Sequence, residues 1–96
     1  MSMYVVIFDR DPEESYQDFH AAFVVHPQIH NWWHYIKSAY LIRTSLEASE
    51  LADHFGRCAR RSGISTTHLV MRVNPTDRQG RLVKEAWAWI RDNSNR

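Results

Sequence analysis

The stretch NWWHYIKSAYLIRT (residues 31–44) decides the fold, because it is mostly apolar and contains neither glycine nor proline. An ordinary strand has about five or six residues, so this stretch is long enough for two. Ser38 is its smallest polar residue, and Lys37 is its only charge before the arginine near its end. We therefore expect two strands, at 32–37 and 39–44, joined by a tight or bulged corner at Lys37-Ser38.

The residues before this stretch predict a strand and a helix. The run MYVVIF (residues 3–8) is continuously apolar and rich in β-branched residues, which is typical of a buried central strand. In the sequence DPEE, Asp11 has the position of a helix N-cap, followed by a proline at the first helical position. Pro27 disfavours helical backbone at the residue before it. We expect the first helix at about 12–25.

The residues after the stretch predict two more helices and one more strand. We expect a helix at 47–62 that ends before Gly63, a strand at 67–73, and a C-terminal helix that begins near Arg81. Each of these helices has one apolar stripe, formed by Leu51, Phe55, Cys58 and Ala59 in the first and by Val83, Ala86, Trp87 and Ile90 in the second.

This order of elements predicts an α+β fold, the ferredoxin-like βαββαβ antiparallel sheet with an added C-terminal helix. Two helices are expected on one face of the sheet. If residues 31–44 formed a single strand, the sheet would have three strands and awkward connections. We expect one ferredoxin-like domain, residues 1–96, with a core at 3–73 and a C-terminal extension at 74–96.

Length and composition predict partners and compartment. A chain of 96 residues has a thin core, yet this one contains four Trp, four Tyr and four Phe. Surplus apolar surface usually marks an interface, so we expect a homodimer. The formal charge of +1 neither requires nor excludes a nucleic acid. The single cysteine and the absence of a signal-peptide pattern or a long apolar run predict a cytoplasmic protein with no membrane partner.

Several short motifs together resemble a known group of small proteins. They are Phe8-Asp9, Trp32 to Tyr35, Ser38, Tyr40 to Ile42 with Thr44, and Leu69-Val70. The pattern, which covers about residues 3–73, is similar to ferredoxin-like proteins grouped with the second CRISPR-associated (Cas) adaptation protein. That group includes the VapD-type toxin nucleases and the GhoS antitoxin nuclease. Within it, the chain most resembles short bacterial proteins labelled SinR-like.

The resemblance implies a function and a metal site. In the CRISPR proteins, an acidic residue at the end of the first strand is proposed to bind a divalent metal across the dimer axis, which implies Asp9 and Mg²⁺ for this chain. Phe8 stands where the group usually has a tyrosine. The resemblance therefore implies a dimeric nucleic-acid-processing protein, a metal-dependent endonuclease of the defence or toxin–antitoxin type.

The residues themselves allow two interpretations of Asp9. A carboxylate at the point where a central strand leaves the sheet could, with its symmetry mate, hold the Mg²⁺ of a phosphodiesterase. Alternatively, Asp11 caps the first helix and Asp9 is a solvated residue at the end of a strand. The sequence leaves both open.

Three histidines lie four residues apart, a spacing that would align metal ligands on a helix: His26, His30 and His34. Pro27 and the tryptophan-rich strand interrupt such a helix, and no cysteine pair accompanies the histidines, so we do not expect a zinc site here. His34 could act as a general acid or base in metal-free RNA cleavage. It could also simply pack beside the neighbouring aromatic rings.

The sequence RCARR places three arginines on the expected exposed side of a helix: Arg57, Arg60 and Arg61. They could bind the phosphates of RNA or DNA, or they could form a solvated surface. Two classes of function therefore remain. One is a nuclease with Asp9 or His34 as its catalytic residue. The other is a non-catalytic ferredoxin-like dimer that binds a protein or a nucleic acid.

Overall fold

The computed structural model describes residues 1–94, so the last two residues of the predicted domain, 95 and 96, lie outside the described part. In chain order the elements are β1 (Ser2–Phe8), α1 (Gln17–Phe23), β2 (Ile29–Ile36), β3 (Ala39–Thr44), α2 (Ala48–Arg61), β4 (His68–Arg72) and α3 (Lys84–Asn93). None of the helices in this part of the chain has the length and apolar character needed to cross a lipid bilayer.

The four strands form one antiparallel sheet in the order β2-β3-β1-β4. β1 is central, since it pairs with β3 on one side and with β4 on the other. α1 and α2 follow β1 and β3 along the chain and pack together over the same apolar cluster. This is the ferredoxin-like βαββαβ arrangement, to which α3 is added, and the predicted fold class is confirmed.

The turn between β2 and β3 lies at Lys37-Ser38, where the sequence predicts it. The Ser38 carbonyl accepts a hydrogen bond from the Phe8 N–H at 3.0 Å, which ties this turn to the central strand. β3 has the predicted bounds. The prediction of two strands in the long apolar stretch is therefore confirmed.

β2 is irregular, and its start at Ile29 is earlier than predicted. Its pairing with β3 shifts between Ile29 and Asn31 and again between Trp33 and Ile36. At each place β2 has one residue more than β3, which is a β-bulge. Each bulge reverses the alternation of faces beyond it. Ile29 accordingly packs on the side of α1 and α2, whereas Trp33 packs against α3.

The predicted start of the first helix is wrong, because α1 begins at Gln17 and not at Pro12. Asp11 stabilises a turn instead, since its carboxylate accepts a hydrogen bond from the Glu13 N–H at 2.9 Å. The Asp11 N–H in turn donates to the Tyr16 hydroxyl at 2.9 Å. Such local bonds between side chain and backbone satisfy the polar groups that a helix would otherwise have to pair.

α2 begins where its sequence predicts. Glu47 and Glu50 form a capping box, in which the Glu47 N–H donates to the Glu50 carboxylate at 2.9 Å. The residues buried on this helix are the four of the predicted stripe: Leu51, Phe55, Cys58 and Ala59. Because the apolar stripe is a local signal, the sequence alone was sufficient to place this helix.

Two apolar clusters lie on opposite faces of the sheet. The larger lies beneath α1 and α2, and its fully buried members are Val6, Phe19, Phe23, Tyr40, Ile42, Leu51 and Phe55. The smaller lies beneath α3, and its buried members are Trp33, Ala86 and Ile90. The Trp33 ring nitrogen donates to the Ala86 carbonyl at 3.3 Å, which fixes α3 to β2.

α3 packs on one face of the sheet and covers only the part of that face that β2 and β3 form. On the neighbouring part, the side chains of Ile7 on β1 and of Leu69 and Met71 on β4 are 45%, 52% and 49% exposed. The expectation that β1 is buried throughout is therefore wrong at Ile7, because no helix lies above it among the described residues. We call these three side chains the open sheet area.

Removing the side chain that anchors α3 should test whether this helix is structural. Ile90→Ala should lower the free energy of unfolding by about 2–4 kcal/mol, as truncations of buried side chains usually do. The prediction that Val83 belongs to the covered stripe is wrong, since Val83 lies at the start of α3 with 56% exposure. Val83→Ala is therefore the matched control and should change stability by less than about 0.5 kcal/mol. Denaturant titration measures both values, and equal losses would contradict the packing of α3.

Candidate functional site

One end of the sheet lies near the two predicted catalytic residues, Asp9 and His34. β1 ends there at Phe8, the β2–β3 turn lies beside it, and β4 begins there. The Asp9 N–H donates to the Thr67 carbonyl at 3.1 Å, so the residue that follows β1 is still held by the start of β4. We call this end the exit end. Asp9 directly follows β1 at this end, and His34 lies near the end of β2, which is two strands away from β1.

Asp9 is exposed and lies in an open depression lined by Asp9, Arg10, Asp11, Ser65, Thr66 and Thr67. Its carboxylate oxygen Oδ2 accepts a hydrogen bond from the Thr67 hydroxyl at 2.8 Å, and its backbone carbonyl accepts one from the Thr66 hydroxyl. Among residues 1–94, the ion pair that the structure shows is Arg91–Asp92, so the Asp9 carboxylate is not neutralised by an arginine or a lysine there. It is held in place by a hydroxyl and remains open to a cation.

Asp11 has a structural role, because its carboxylate is engaged in the turn that precedes α1. Within the described residues, no three side chains of the His, Cys, Asp or Glu type lie close enough to hold a metal ion together. Mg²⁺ keeps several water ligands and often binds through one or two carboxylates, so a single Asp9 is a sparse but chemically suitable donor. A second carboxylate would have to come from another copy of the chain.

His34 belongs to a cluster of three rings, the other two being His20 on α1 and Tyr40 on β3. Its ring stacks on the Tyr40 ring at a centroid distance of 4.0 Å, and the His20 ring lies 5.6 Å from it. His20 Nδ1 and the Tyr40 hydroxyl share a hydrogen bond of 2.7 Å. The cluster therefore links α1, β2 and β3 through side chains that are both polar and aromatic.

The tautomer of His34 follows from its hydrogen bond. His34 Nδ1 lies 2.9 Å from the Ala39 carbonyl oxygen, which can only accept. The hydrogen is therefore on Nδ1, and in the neutral ring the lone pair is on Nε2. This is the form of histidine that can act as a general base.

Burial affects the proton equilibria of the whole cluster. It lowers the pKa of His20 below the ordinary histidine value. It is also the main cause that lowers the pKa of His34, and the charges of His20 and Arg10 lower it further against the opposing hydrogen bond to Ala39. Burial raises the pKa of the Tyr40 hydroxyl. Both imidazoles and the phenol are consequently neutral at pH 7.

The predicted arginines lie on the exposed face of α2, as their spacing indicates. Arg57 and Arg60 line a shallow groove that also includes Asp53 and His68. Arg61 is exposed in the last turn of the helix. The structure therefore brings Arg57 and Arg60 to one groove between α2 and the start of β4. Neither arginine lines the depression that contains Asp9.

Three residues near these positions were not predicted from the sequence: His20, Tyr40 and Thr67. The alternation of Tyr40, Ile42 and Thr44 along β3 could have indicated that Tyr40 faces the core. The pairing of His20 with Tyr40 and of Thr67 with Asp9 depends on contacts between distant parts of the chain, for which a single sequence has no local signal.

Comparisons with protein-family models, with curated proteins and with solved structures found no match. The resemblance to the CRISPR-associated group therefore stays a prediction. What the chain does has to be inferred from the geometry of its own residues.

The lowered pKa of His34 predicts a pH dependence of stability. The unfolded chain takes up a proton on this residue at about pH 6.5, before the folded chain does, so stability should fall as the pH drops below that value. His34→Gln removes this proton uptake and should make the free energy of unfolding less dependent on pH between about 5 and 7. His30→Gln, on the exposed part of the same strand, is the matched control. Identical pH profiles for wild type and His34→Gln would contradict the prediction.

Proposed function

We propose that this chain is a homodimeric nucleic-acid-processing protein that cleaves phosphodiester bonds at the exit end, with Asp9 as the metal-binding residue. One observation supports this most directly. Asp9 follows a central strand, its carboxylate is exposed in an open depression, and a hydroxyl rather than a cationic side chain holds it. A carboxylate with only a structural role would more often be engaged by backbone N–H groups, as Asp11 is.

The donor set fits a divalent cation of the Mg²⁺ type. Thr67 engages Oδ2 of Asp9 and so orients the carboxylate, which leaves Oδ1 available. When bound, the cation would stabilise charge on the attacking and leaving oxygens of a phosphodiester. The hydroxyl groups of Ser65, Thr66 and Thr67 border the same depression and provide polar contacts for a phosphate or a water molecule.

The dimer would complete this site. Ile7 and Leu69 of the open sheet area line one groove together with Asp9, so the exposed apolar surface extends as far as the carboxylate. A second copy packed on this area by a two-fold axis would bring a second Asp9 close to the first. Two facing carboxylates repel each other, and a shared cation would relieve that repulsion. The exposed apolar surface and the need for a second carboxylate thus both favour a second copy of this chain as the partner.

A second candidate chemistry uses His34 without a metal. Its Nε2 lone pair and its neutral state at pH 7 suit a general base that removes the proton of an RNA 2′-hydroxyl. The nearby His20 could assist as the second proton-transfer group, since the two rings lie 5.6 Å apart. This chemistry would be restricted to RNA and insensitive to EDTA.

Asp9→Asn should abolish metal-dependent cleavage while the fold is retained. The purified protein is tested against labelled RNA and labelled DNA, with Mg²⁺ and with EDTA. Loss of a ligand worth several kcal/mol corresponds to a decrease in rate of about 100-fold or more. Asp11→Asn removes the same charge two residues away and keeps the oxygen that accepts from Glu13, so it should cleave like wild type.

Other outcomes would replace the proposal. Cleavage that survives both EDTA and Asp9→Asn, but is lost in His34→Gln, would favour the metal-free chemistry. A wild-type protein that binds RNA or DNA but cleaves neither with any divalent metal would favour the non-catalytic binding module.

The dimer has its own test. Light scattering at tens of micromolar should give twice the chain mass of 11.4 kDa, since a stable pair is expected to bury about 1,200 Å² or more in total. Leu69→Glu should dissociate it, because a charge would be buried in the apolar interface. Val25→Glu is the control, since Val25 is 72% exposed outside the open sheet area. A wild-type monomer would contradict the proposed interface.

A further inference from the structure

A second depression lies at the end of the sheet opposite to the exit end. β1 begins there, β3 and β4 end there, and α3 ends above it. Its lining includes Arg43 near the end of β3, Arg72 at the end of β4, and Ser94 just after α3. We call it the arginine pocket. Among residues 1–94, none that lines it is acidic.

The Arg43 side chain contains a donor without an acceptor. Arg43 pairs with Met3 across β3 and β1, and its Nε is fully buried with no hydrogen-bond partner among the described residues. Buried donors in folded proteins are nearly always paired, so the Arg43 guanidinium lacks an acceptor that the described residues do not supply. Trp89 Nε1 is also buried and unpaired, but Trp89 does not line the pocket.

Two side chains that line the pocket, Asn93 and Ser94, donate hydrogen bonds to carbonyls near the end of α3. The Trp89 carbonyl accepts from the Asn93 side chain at 2.8 Å, and the Ile90 carbonyl accepts from the Ser94 hydroxyl. These bonds hold both side chains at the edge of the pocket.

The surroundings of the pocket are positively charged. The Arg78 guanidinium donates to the Pro75 carbonyl at 2.9 Å and to the Ser94 hydroxyl at 3.3 Å, and both of these residues line the pocket. Asp92, which is close in sequence, is paired with Arg91. The arginine pocket therefore combines a buried donor, positive charge at its edge and no acidic lining, which is the pattern expected of an anion site.

We propose that the arginine pocket binds a phosphate group, with Arg43 as its principal ligand, and that the phosphate belongs to the backbone of a nucleic acid. A guanidinium presents several donors in one plane, and phosphate offers acceptors in a matching arrangement. The binding of phosphate is independent of the proposed nuclease function, whereas its assignment to a nucleic acid rests on that function.

This assignment differs from the one that the sequence favours. Arg57 and Arg60 share their groove with the carboxylate of Asp53, which weakens the attraction of that groove for an anion. Arg43 has no such neighbour in the lining of its pocket. Arg43, which stands alone in the sequence and not in a cluster of arginines, is therefore the better phosphate ligand.

The first test uses inorganic phosphate as the probe, at constant ionic strength with chloride as the reference. Saturating phosphate should raise the melting temperature of the wild type by about 5 °C or more. Arg43→Met should abolish this site-specific rise and be at least as stable without phosphate, since the unpaired buried donor is removed. Arg60→Met, on the exposed face of α2, should respond like the wild type. If Arg43→Met does not fold, Arg43→Lys replaces it and should reduce the rise.

The second test measures binding of a labelled single-stranded oligonucleotide in EDTA, so that it does not depend on cleavage. For Arg43→Met, the slope of log affinity against log salt should decrease in magnitude by about 0.7, the value for one phosphate contact on a single strand. Arg60→Met should leave the slope unchanged. An equal phosphate response in wild type and Arg43→Met would overturn the site. A lost phosphate response with an unchanged slope would overturn the nucleic acid as carrier. Neither result depends on Asp9.

Discussion

The pairing of β1 with β3 on one side and with β4 on the other is the interaction on which the rest of the structure depends. It leads Asp9 into the space between the β2–β3 turn and the start of β4, where Thr67 can hold it. The same pairing sets Arg43 beside Met3 at the opposite end. The two candidate sites therefore share one central strand, and a slip of its register by one residue would turn its buried side chains outward and displace both sites.

The parts of the fold that the sequence predicts well are those with local signals. The split at Lys37-Ser38 and the apolar stripe of α2 each depend on a few neighbouring residues, and both are confirmed. α1 begins later than predicted because Asp11 forms a turn with its own neighbours, an arrangement that competes with helix capping and uses the same residue types. Exposure of Ile7 could not be predicted, because it depends on how far α3 extends over the sheet.

The candidate sites are predictable to a smaller extent, for the same physical reason. Asp9 could be named because it directly follows the predicted first strand, and His34 because a histidine can act as a general acid or base. Their partners, Thr67 and Tyr40, are brought to them by sheet register and ring packing, which a single sequence does not reveal. Arg43 is a still clearer case. Its candidate role depends on a buried Nε without a partner among the described residues, and burial of one atom follows from the complete packing around it.

The two bulges make β2 a strand that serves both layers of the protein, with Ile29 facing one helix layer and Trp33 facing the other. The number of residues in β2 therefore determines which side chains face each layer, as much as the residue types do. Inserting or deleting one residue between the bulges would exchange the faces of every ring that follows, so Trp33 would lose α3 and His34 would leave Tyr40. Evolution can exchange side chains along this strand one at a time, but it can change the length of the strand only by rebuilding both layers together.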